Sequence, residues 1–316
     1  MRKLLITRPL PEVVIAAAKA RYETTVRDNT APLSPEELRA ALRGYDAILP
    51  TLGDLFRADV FADVPQQRAK ILANFGVGYN HIDVTAARAA GVAVTNTPGA
   101  VTDATADIAM TLMLMTARRA GEGERLLRAG QWAGWHPTQM LGTHVTGARV
   151  GIIGMGRIGK AIARRCHYGF GMDVVFNNRS AVADPGCPAK QVSLATVLAA
   201  DFVIIAVPGS PATHHLINAE TLTHMRPDGF LINISRGDVV DEAALIAALQ
   251  SGKIAGAGLD VYEFEPQIPA ALHAMENVTL LPHLGTAVAQ VRQAMGLMAV
   301  ANLIAHLDGT PLPNEV

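Results

Sequence analysis

The sequence predicts an α/β protein built from two doubly wound, parallel-sheet domains, and three observations predict it. Short β-branched runs alternate with Ala/Leu-rich helical stretches, a glycine-rich turn stands between a strand and a helix in mid-chain, and 316 residues exceed what one core usually holds, roughly 250–300.

The alternation begins at once. Leu4–Thr7 reads as a strand followed by a helix over Pro11–Ala20; Ala47–Leu49 as a strand followed by a loop; Ile71–Asn74 as a strand followed by a helix over Val84–Ala90. Thr95-Asn96-Thr97-Pro98-Gly99 is turn-rich and precedes a long helical stretch from Thr102 to Leu127, so the chain is expected to change domain there. A second unit starts at Arg149–Ile153 and continues through strands near Val174–Phe176, Val203–Val207, Phe230–Ile234, Ala257–Asp260 and Val278–Leu281, six in all. Ala287–Leu307 reads as one amphipathic helix with no strand after it. Its simplest place is on the first domain, which makes that domain discontinuous: 1–98 plus 287–316, with 99–286 as the other.

Composition narrows the partners. Lys and Arg number 27 against 28 Asp and Glu, a formal charge of −1, with no basic tract to hold a nucleic acid or an anionic membrane. Apolar runs such as Phe202–Pro208 are strand-sized, well below the roughly 20 residues of a membrane span. The basic start Met1-Arg2-Lys3 leads into a short strand without a cleavage signature. Two cysteines, Cys166 and Cys187, offer neither a disulfide framework nor a multi-cysteine metal site, as expected of a cytoplasmic protein; no metal is expected. A small molecule is the expected partner.

Gly154-Met155-Gly156-Arg157-Ile158-Gly159 follows a strand and opens a helix, the context in which G-x-G-x-x-G binds a dinucleotide pyrophosphate. Gly154 permits the tight turn, Gly156 the approach of backbone N–H groups, and Gly159 the packing of helix on sheet. About 20 residues on, where an acidic residue would read a free ribose, stands Asn178-Arg179-Ser180. A neutral amide beside a cation favours NADP(H); NAD(H) is the alternative if Arg179 is only a solvated loop residue.

Four segments of this second unit occur in a distinctive order: Gly154–Gly159, Ile232–Gly237, Leu259–Pro266 and Leu281–Thr286; Asn74–Asp83 adds a fifth in the first. Together they resemble the D-isomer-specific 2-hydroxyacid dehydrogenase family, and within it the glyoxylate/hydroxypyruvate reductases. The resemblance implies two Rossmann-like domains, one flavodoxin-like and one dinucleotide-binding, with an interdomain cleft, and reduction of a 2-oxo acid to its D-2-hydroxy acid. It implies a catalytic Arg236, Glu265 and His283. His283 suits proton donation near neutral pH, Glu265 tunes it, and Arg236 presents a planar fork for a carboxylate. It also implies a carboxylate-binding loop at Gly76-Val77-Gly78, which is equally an ordinary strand-to-helix turn. Further cofactor contacts are expected at Val207, Pro208, Thr213, Ile234, Ser235, Asp260 and Thr105, with capping or turn roles as the alternative for Asp260 and Thr213. The remaining histidines, His215 among them, are expected to be surface or structural. Trp132 and Trp135 fall where these reductases form a homodimer arm; Trp135 either enters a neighbouring substrate pocket or buries area at the interface. Dehydrogenases for formate- or phosphite-like anions share the Arg/Glu/His set, and corepressor-like relatives bind the nucleotide without turnover, so substrate is left open within the family.

Overall fold

The computed structural model describes all 316 residues. The chain divides into two units, Met1–Val101 with Ala287–Val316, and Thr102–Thr286.

The first unit runs β1 (Lys3–Ile6), α1 (Glu12–Lys19), β2 (Glu23–Val26), α2 (Pro35–Gly44), β3 (Ala47–Leu49), α3 (Ala58–Ala62), β4 (Ile71–Ala73), α4 (Val84–Ala89) and β5 (Ala93–Thr95). Its five strands lie in the order β2-β1-β3-β4-β5, all parallel, the flavodoxin-like winding. Because successive strand side chains face opposite ways, Leu4 and Ile6 pack one face while Leu5 packs the other. Where the sequence predicted a loop after β3, the structure has α3, whose Val60 and Phe61 bury against Leu42 and Phe56. Strand β2 was also invisible in sequence: Glu23-Thr24-Thr25-Val26 is half-exposed edge, with little apolar pattern to betray it.

The second unit contains α5 (Thr102–Ala117), α6 (Ala120–Arg128), β6 (Arg149–Ile153), α7 (Arg157–Arg164), β7 (Asp173–Asn177), β8 (Lys190–Gln191), α8 (Leu194–Leu198), β9 (Phe202–Ile205), α9 (Ala219–Leu222), β10 (Phe230–Asn233), α10 (Glu242–Gln250), β11 (Gly256–Leu259), α11 (Ala270–His273) and β12 (Val278–Leu280). Its sheet has seven parallel strands rather than the expected six, in the order β12-β11-β10-β9-β6-β7-β8. The extra strand is β8, two exposed residues paired to Val175 and Phe176 and too short to carry a β pattern. One face packs α5 and α7 through Met110, Met113 and Ile162; the other packs α8 and α10 through Val197, Leu245 and Leu249. These strand and helix interiors are near-continuously apolar because both sheet faces are covered.

The single helix expected over Thr102–Leu127 is broken in two. Gly142 presses on the end of α5, where a Cβ would lie 2.5 Å from the Ala117 carbonyl oxygen, and Thr143 N–H takes that carbonyl at 2.7 Å. The chain turns at Arg119, in the left-handed region at φ +54°, and restarts as α6. At the other end of the chain, α12 (Ala289–Asp308) returns to the first unit, where Gly296 lies against Val14 of α1; a Cβ there would sit 2.4 Å from a Val14 methyl. No helix is long and apolar enough to cross a membrane.

Candidate active site

Parallel α/β sheets bind ligands beyond the carboxyl ends of their strands. In the second unit those ends carry most of the candidates: Gly154 after β6, Asn178 after β7, Val207 after β9, Arg236 after β10, Asp260 after β11 and His283 after β12, while Thr105 lies on α5 and Trp135 beyond α6.

The turn after β6 fits a dinucleotide pyrophosphate. Gly154 has φ +98° and donates to the Asn177 carbonyl at 2.8 Å; a Cβ there would strike the Ala206 carbonyl at 2.7 Å. A Cβ on Gly159 would lie 2.0 Å from the Gly154 carbonyl, so only glycine lets α7 seat on the turn. Gly156, by contrast, faces open space with nothing within 4 Å. α7 starts at Arg157 with no side-chain cap and no acidic residue in its first turn, leaving the helix N-terminus open to an anion. Met155 N–H donates to Asn178 Oδ1 at 3.1 Å, which ties the turn to the loop after β7, and Ile158 is half-buried beside it.

That loop is held by a residue sequence reasoning did not find. Gln191 of β8 donates to the carbonyls of Asn178 and Ser180, each at 3.1 Å, and accepts from Val182 N–H at 3.1 Å. Asn178 Nδ2 donates to the Ser180 carbonyl at 3.0 Å. Arg179 is exposed, with no ion pair or side-chain hydrogen bond within the chain. Nothing in sequence links Gln191 to residue 178; the link is made by β8 pairing with β7.

Other expected cofactor residues use their polar atoms to shape loops. Thr213 Oγ1 donates to the Pro208 carbonyl at 2.7 Å and accepts from Ser210 N–H at 2.9 Å, closing the loop after β9. Ser235 Oγ donates to the Val207 carbonyl, and Ile234 beside it is buried. Asp260 is buried and accepts from Leu284 N–H at 2.6 Å and Gly285 N–H at 2.8 Å; Thr105 Oγ1 donates to the Gly285 carbonyl at 3.1 Å. Asp260 and Thr105 therefore fix the loop that follows His283. Burial raises the Asp260 carboxyl above its ordinary value, against the lowering effect of the Leu284 and Gly285 N–H groups and of His283.

His283 occupies the left-handed region at φ +54°, its N–H bound to the Asp260 carbonyl at 2.9 Å. A strained backbone of this kind persists where surrounding contacts over-determine it. Its Nδ1 lies 2.9 Å from Glu265 Oε2, and both side chains keep 30 % of their surface exposed. Glu265 Oε1 accepts from Tyr262 N–H at 3.0 Å. Burial pushes the Glu265 carboxyl up, but the hydrogen bond and charge of His283, the Tyr262 N–H and the Arg236 charge outweigh it and hold it below the ordinary value. Arg236 is half-buried after β10; its carbonyl accepts from Asn233 Nδ2 at 3.0 Å and its guanidinium donates to the Ser235 carbonyl at 2.7 Å. Burial pushes the guanidinium down, opposed by Glu265 and Asp238. The structure thus brings Arg236, Glu265 and His283 into one electrostatic group.

In the first unit, the loop after β4 turns its carbonyls inward. Asn74 Nδ2 donates to Gly76 and Gly78 at 3.1 and 3.0 Å, Asn96 Nδ2 to Val77 at 2.9 Å, and His81 holds Asn74 Oδ1 at 3.0 Å. The N–H groups of Val77 and Gly78 donate no hydrogen bond within the chain. His215, expected to be surface or structural, has a carboxylate partner: its Nε2 lies 2.8 Å from Glu263 Oε1. Trp135 is 79 % exposed, with Trp132 at 51 %.

Residues 110–285 match the family model described as D-isomer specific 2-hydroxyacid dehydrogenase, NAD binding domain. The chain is similar to a glyoxylate reductase of Thermococcus onnurineus (42 % identical, covering 99 % of this chain and 95 % of the relative) and to one of Thermococcus kodakarensis (43 %, covering 99 % and 96 %). Its fold is similar to the crystal structure of an NADPH-dependent glyoxylate/hydroxypyruvate reductase from Sinorhizobium meliloti in complex with NADP and malonate (TM-score 0.89, 36 % identical, covering 100 % and 96 %). A glyoxylate reductase from Paecilomyes thermophila is similar at TM-score 0.88 and 31 % identity, covering 100 % and 98 %. With a dinucleotide turn after β6 and this extent of similarity, the chain belongs to the D-isomer-specific 2-hydroxyacid dehydrogenase family.

Proposed function

We propose that the protein reduces a small 2-oxo acid of the glyoxylate or hydroxypyruvate type to the D-2-hydroxy acid, with NADPH favoured over NADH. The observation that carries the reading is the His283–Glu265 pair at 2.9 Å with Arg236 in its field. A carboxylate can only accept, so Nδ1 of His283 carries the proton toward Glu265 and Nε2 is left to exchange a proton with substrate.

When bound, the dinucleotide supplies the hydride for C2 of the oxo acid. The residues of this chain do the rest. His283 Nε2 delivers a proton to the carbonyl oxygen, Glu265 stabilises the imidazolium that precedes delivery, and Arg236 binds and polarises the substrate through its planar fork. Gly154–Gly159 and the N-terminus of α7 would hold the pyrophosphate, and Arg179 with Asn178 and Ser180 would hold a 2′-phosphate. The unengaged N–H groups of Val77 and Gly78 support the reading of that loop as carboxylate-binding. Similarity to the glyoxylate reductases supports the substrate class.

We also propose a homodimer. Helix α6 has no buried residue, and Leu127, Trp132, Trp135 and Leu141 expose apolar surface along and beyond it. Exposed apolar patches of this kind mark interfaces.

The test is a panel of 2-oxo acids assayed with NADPH and with NADH. Turnover of glyoxylate and hydroxypyruvate with NADPH is expected; a protein that binds NADPH and turns over no 2-oxo acid defeats the proposal.

A further inference from the structure

A second histidine–carboxylate pair stands behind the first. Glu263 lies two residues before Glu265 on the same turn, and its Oε1 is 2.8 Å from His215 Nε2. The turn is gripped at the same point from α10, where Glu263 N–H donates to Glu242 Oε1 at 2.9 Å. Gly237 lies directly beneath: a Cβ there would fall 1.8 Å from the Tyr262 carbonyl carbon.

The backbone of His215 is fixed to the segment that follows Arg236. His215 N–H donates to the Asp238 carbonyl at 2.8 Å, Ile217 N–H to Val239 at 3.0 Å, and Asp241 N–H to Ile217 at 2.8 Å. His215 is therefore a strut: its main chain rides on the Arg236 segment and its imidazole reaches the Glu265 turn. It is held at φ +48°, a conformation that costs free energy for a residue with a side chain and aims the ring.

His214 stacks on His215 with ring centroids 4.0 Å apart, and the donor atoms of His214, His215 and Glu263 lie within 4.8 Å of one another. The spacing argues against a metal centre. Ligand atoms around a tetrahedral ion with bonds of about 2.0–2.1 Å stand roughly 3.3 Å apart, whereas 2.8 Å between Nε2 and Oε1 is a hydrogen bond already made.

We propose that His215 and Glu263 are positioning residues, which hold the turn bearing Glu265 in register with Arg236 and so set the geometry of the Glu265–His283 pair. The proposal rests on the reading of Glu265 and His283 as the acid–base pair. Neither His215 nor Glu263 touches substrate; they act through Glu265.

The test compares His215→Asn, His215→Gln, Glu263→Ala and the double variant His215→Asn/Glu263→Ala, with His283→Ala as control. Asparagine tolerates left-handed backbone but is too short to reach Glu263, whereas glutamine reaches about as far as Nε2. His215→Asn is expected to lower kcat roughly 10- to 100-fold, the scale of a misplaced catalytic group. KM for NADPH should change little, and the pH profile of kcat should shift. His215→Gln should recover most of the loss, and the double variant should be no worse than the poorer single one. The proposal is overturned if kcat and pH profile of His215→Asn match wild type, if only the melting temperature falls, or if the two losses multiply. Near-normal turnover in His283→Ala would instead remove the acid–base reading beneath it.

Discussion

Glu265 accepts a hydrogen bond from Nδ1 of His283 at 2.9 Å while its other oxygen accepts from Tyr262 N–H at 3.0 Å, so one carboxylate is anchored to its own turn and to the imidazole at once. The ring is thereby held in one tautomer, with Nε2 left for chemistry.

His283→Ala is expected to lower kcat by about 10²–10⁴-fold, the usual range for a general acid. Arg236→Ala should lower kcat/KM for the oxo acid through lost carboxylate capture. NADPH binding, followed by nucleotide fluorescence, should persist in both. Turnover within a few-fold of wild type in folded His283→Ala takes this residue out of the mechanism.

Arg179→Ala is expected to weaken NADPH by about 10- to 100-fold, because charge-assisted hydrogen bonds contribute roughly 1.5–3 kcal/mol. NADH should be nearly unaffected. Asn178→Asp keeps the acceptor for Met155 N–H and adds a charge that repels a 2′-phosphate, so it should move preference further toward NADH. The measurement is kcat/KM for both nucleotides at fixed low salt, since the guanidinium is exposed and screened. Equal loss for both nucleotides rules out a phosphate site here.

Gly156→Ala and Gly159→Ala should fail differently. A methyl at 156 meets nothing within 4 Å, so the fold should survive while nucleotide binding drops; a methyl at 159 collides with the Gly154 carbonyl at 2.0 Å and should destabilise the unit itself. Melting curves with and without NADPH separate the two. Similar melting temperatures for both variants contradict the distinction.

Two carboxyls near the site give opposite pH dependences. Glu265 lies below its ordinary 4.5, so its contribution is present above pH 4.5 and lost as pH falls through its lowered value. Glu242 is raised from 4.5, first by burial and then by the charges of Glu263 and Glu265, against the Glu263 N–H that lowers it. Its contribution is complete below pH 4.5 and lost as pH rises through the raised value. Glu242→Gln should therefore gain on wild type in urea midpoint as pH climbs from 4.5 toward neutrality. Parallel curves over that range show that Glu242 is not perturbed.

Trp135→Ala and Leu127→Asp are expected to shift the protein from dimer toward monomer in light scattering. An unchanged mass for both variants puts the interface elsewhere.

The alternation of apolar runs was enough to determine an α/β fold of parallel sheets, because strands covered on both faces read as near-continuous apolar segments such as Phe202–Ile205 and Phe230-Leu231-Ile232. The glycine turn at 154–159 was legible for a related reason: its requirements are local, set by a strand, a tight turn and a helix in succession. Strands β2 and β8 and helix α3 were not legible, since two are short or exposed edges and the third is five residues held by tertiary contacts. The break at Arg119 depended on Gly142 and Thr143, more than twenty residues away, taking the carbonyl that would have continued the helix. The second dyad follows the same rule. Glu263 stood in a motif already singled out, but His215 lies 48 residues from it in sequence. Residue type and local spacing name the groups able to bind or transfer a proton; which of them meet, and what holds them there, depends on hydrogen bonds between separate strand ends that exist only once the sheet has formed.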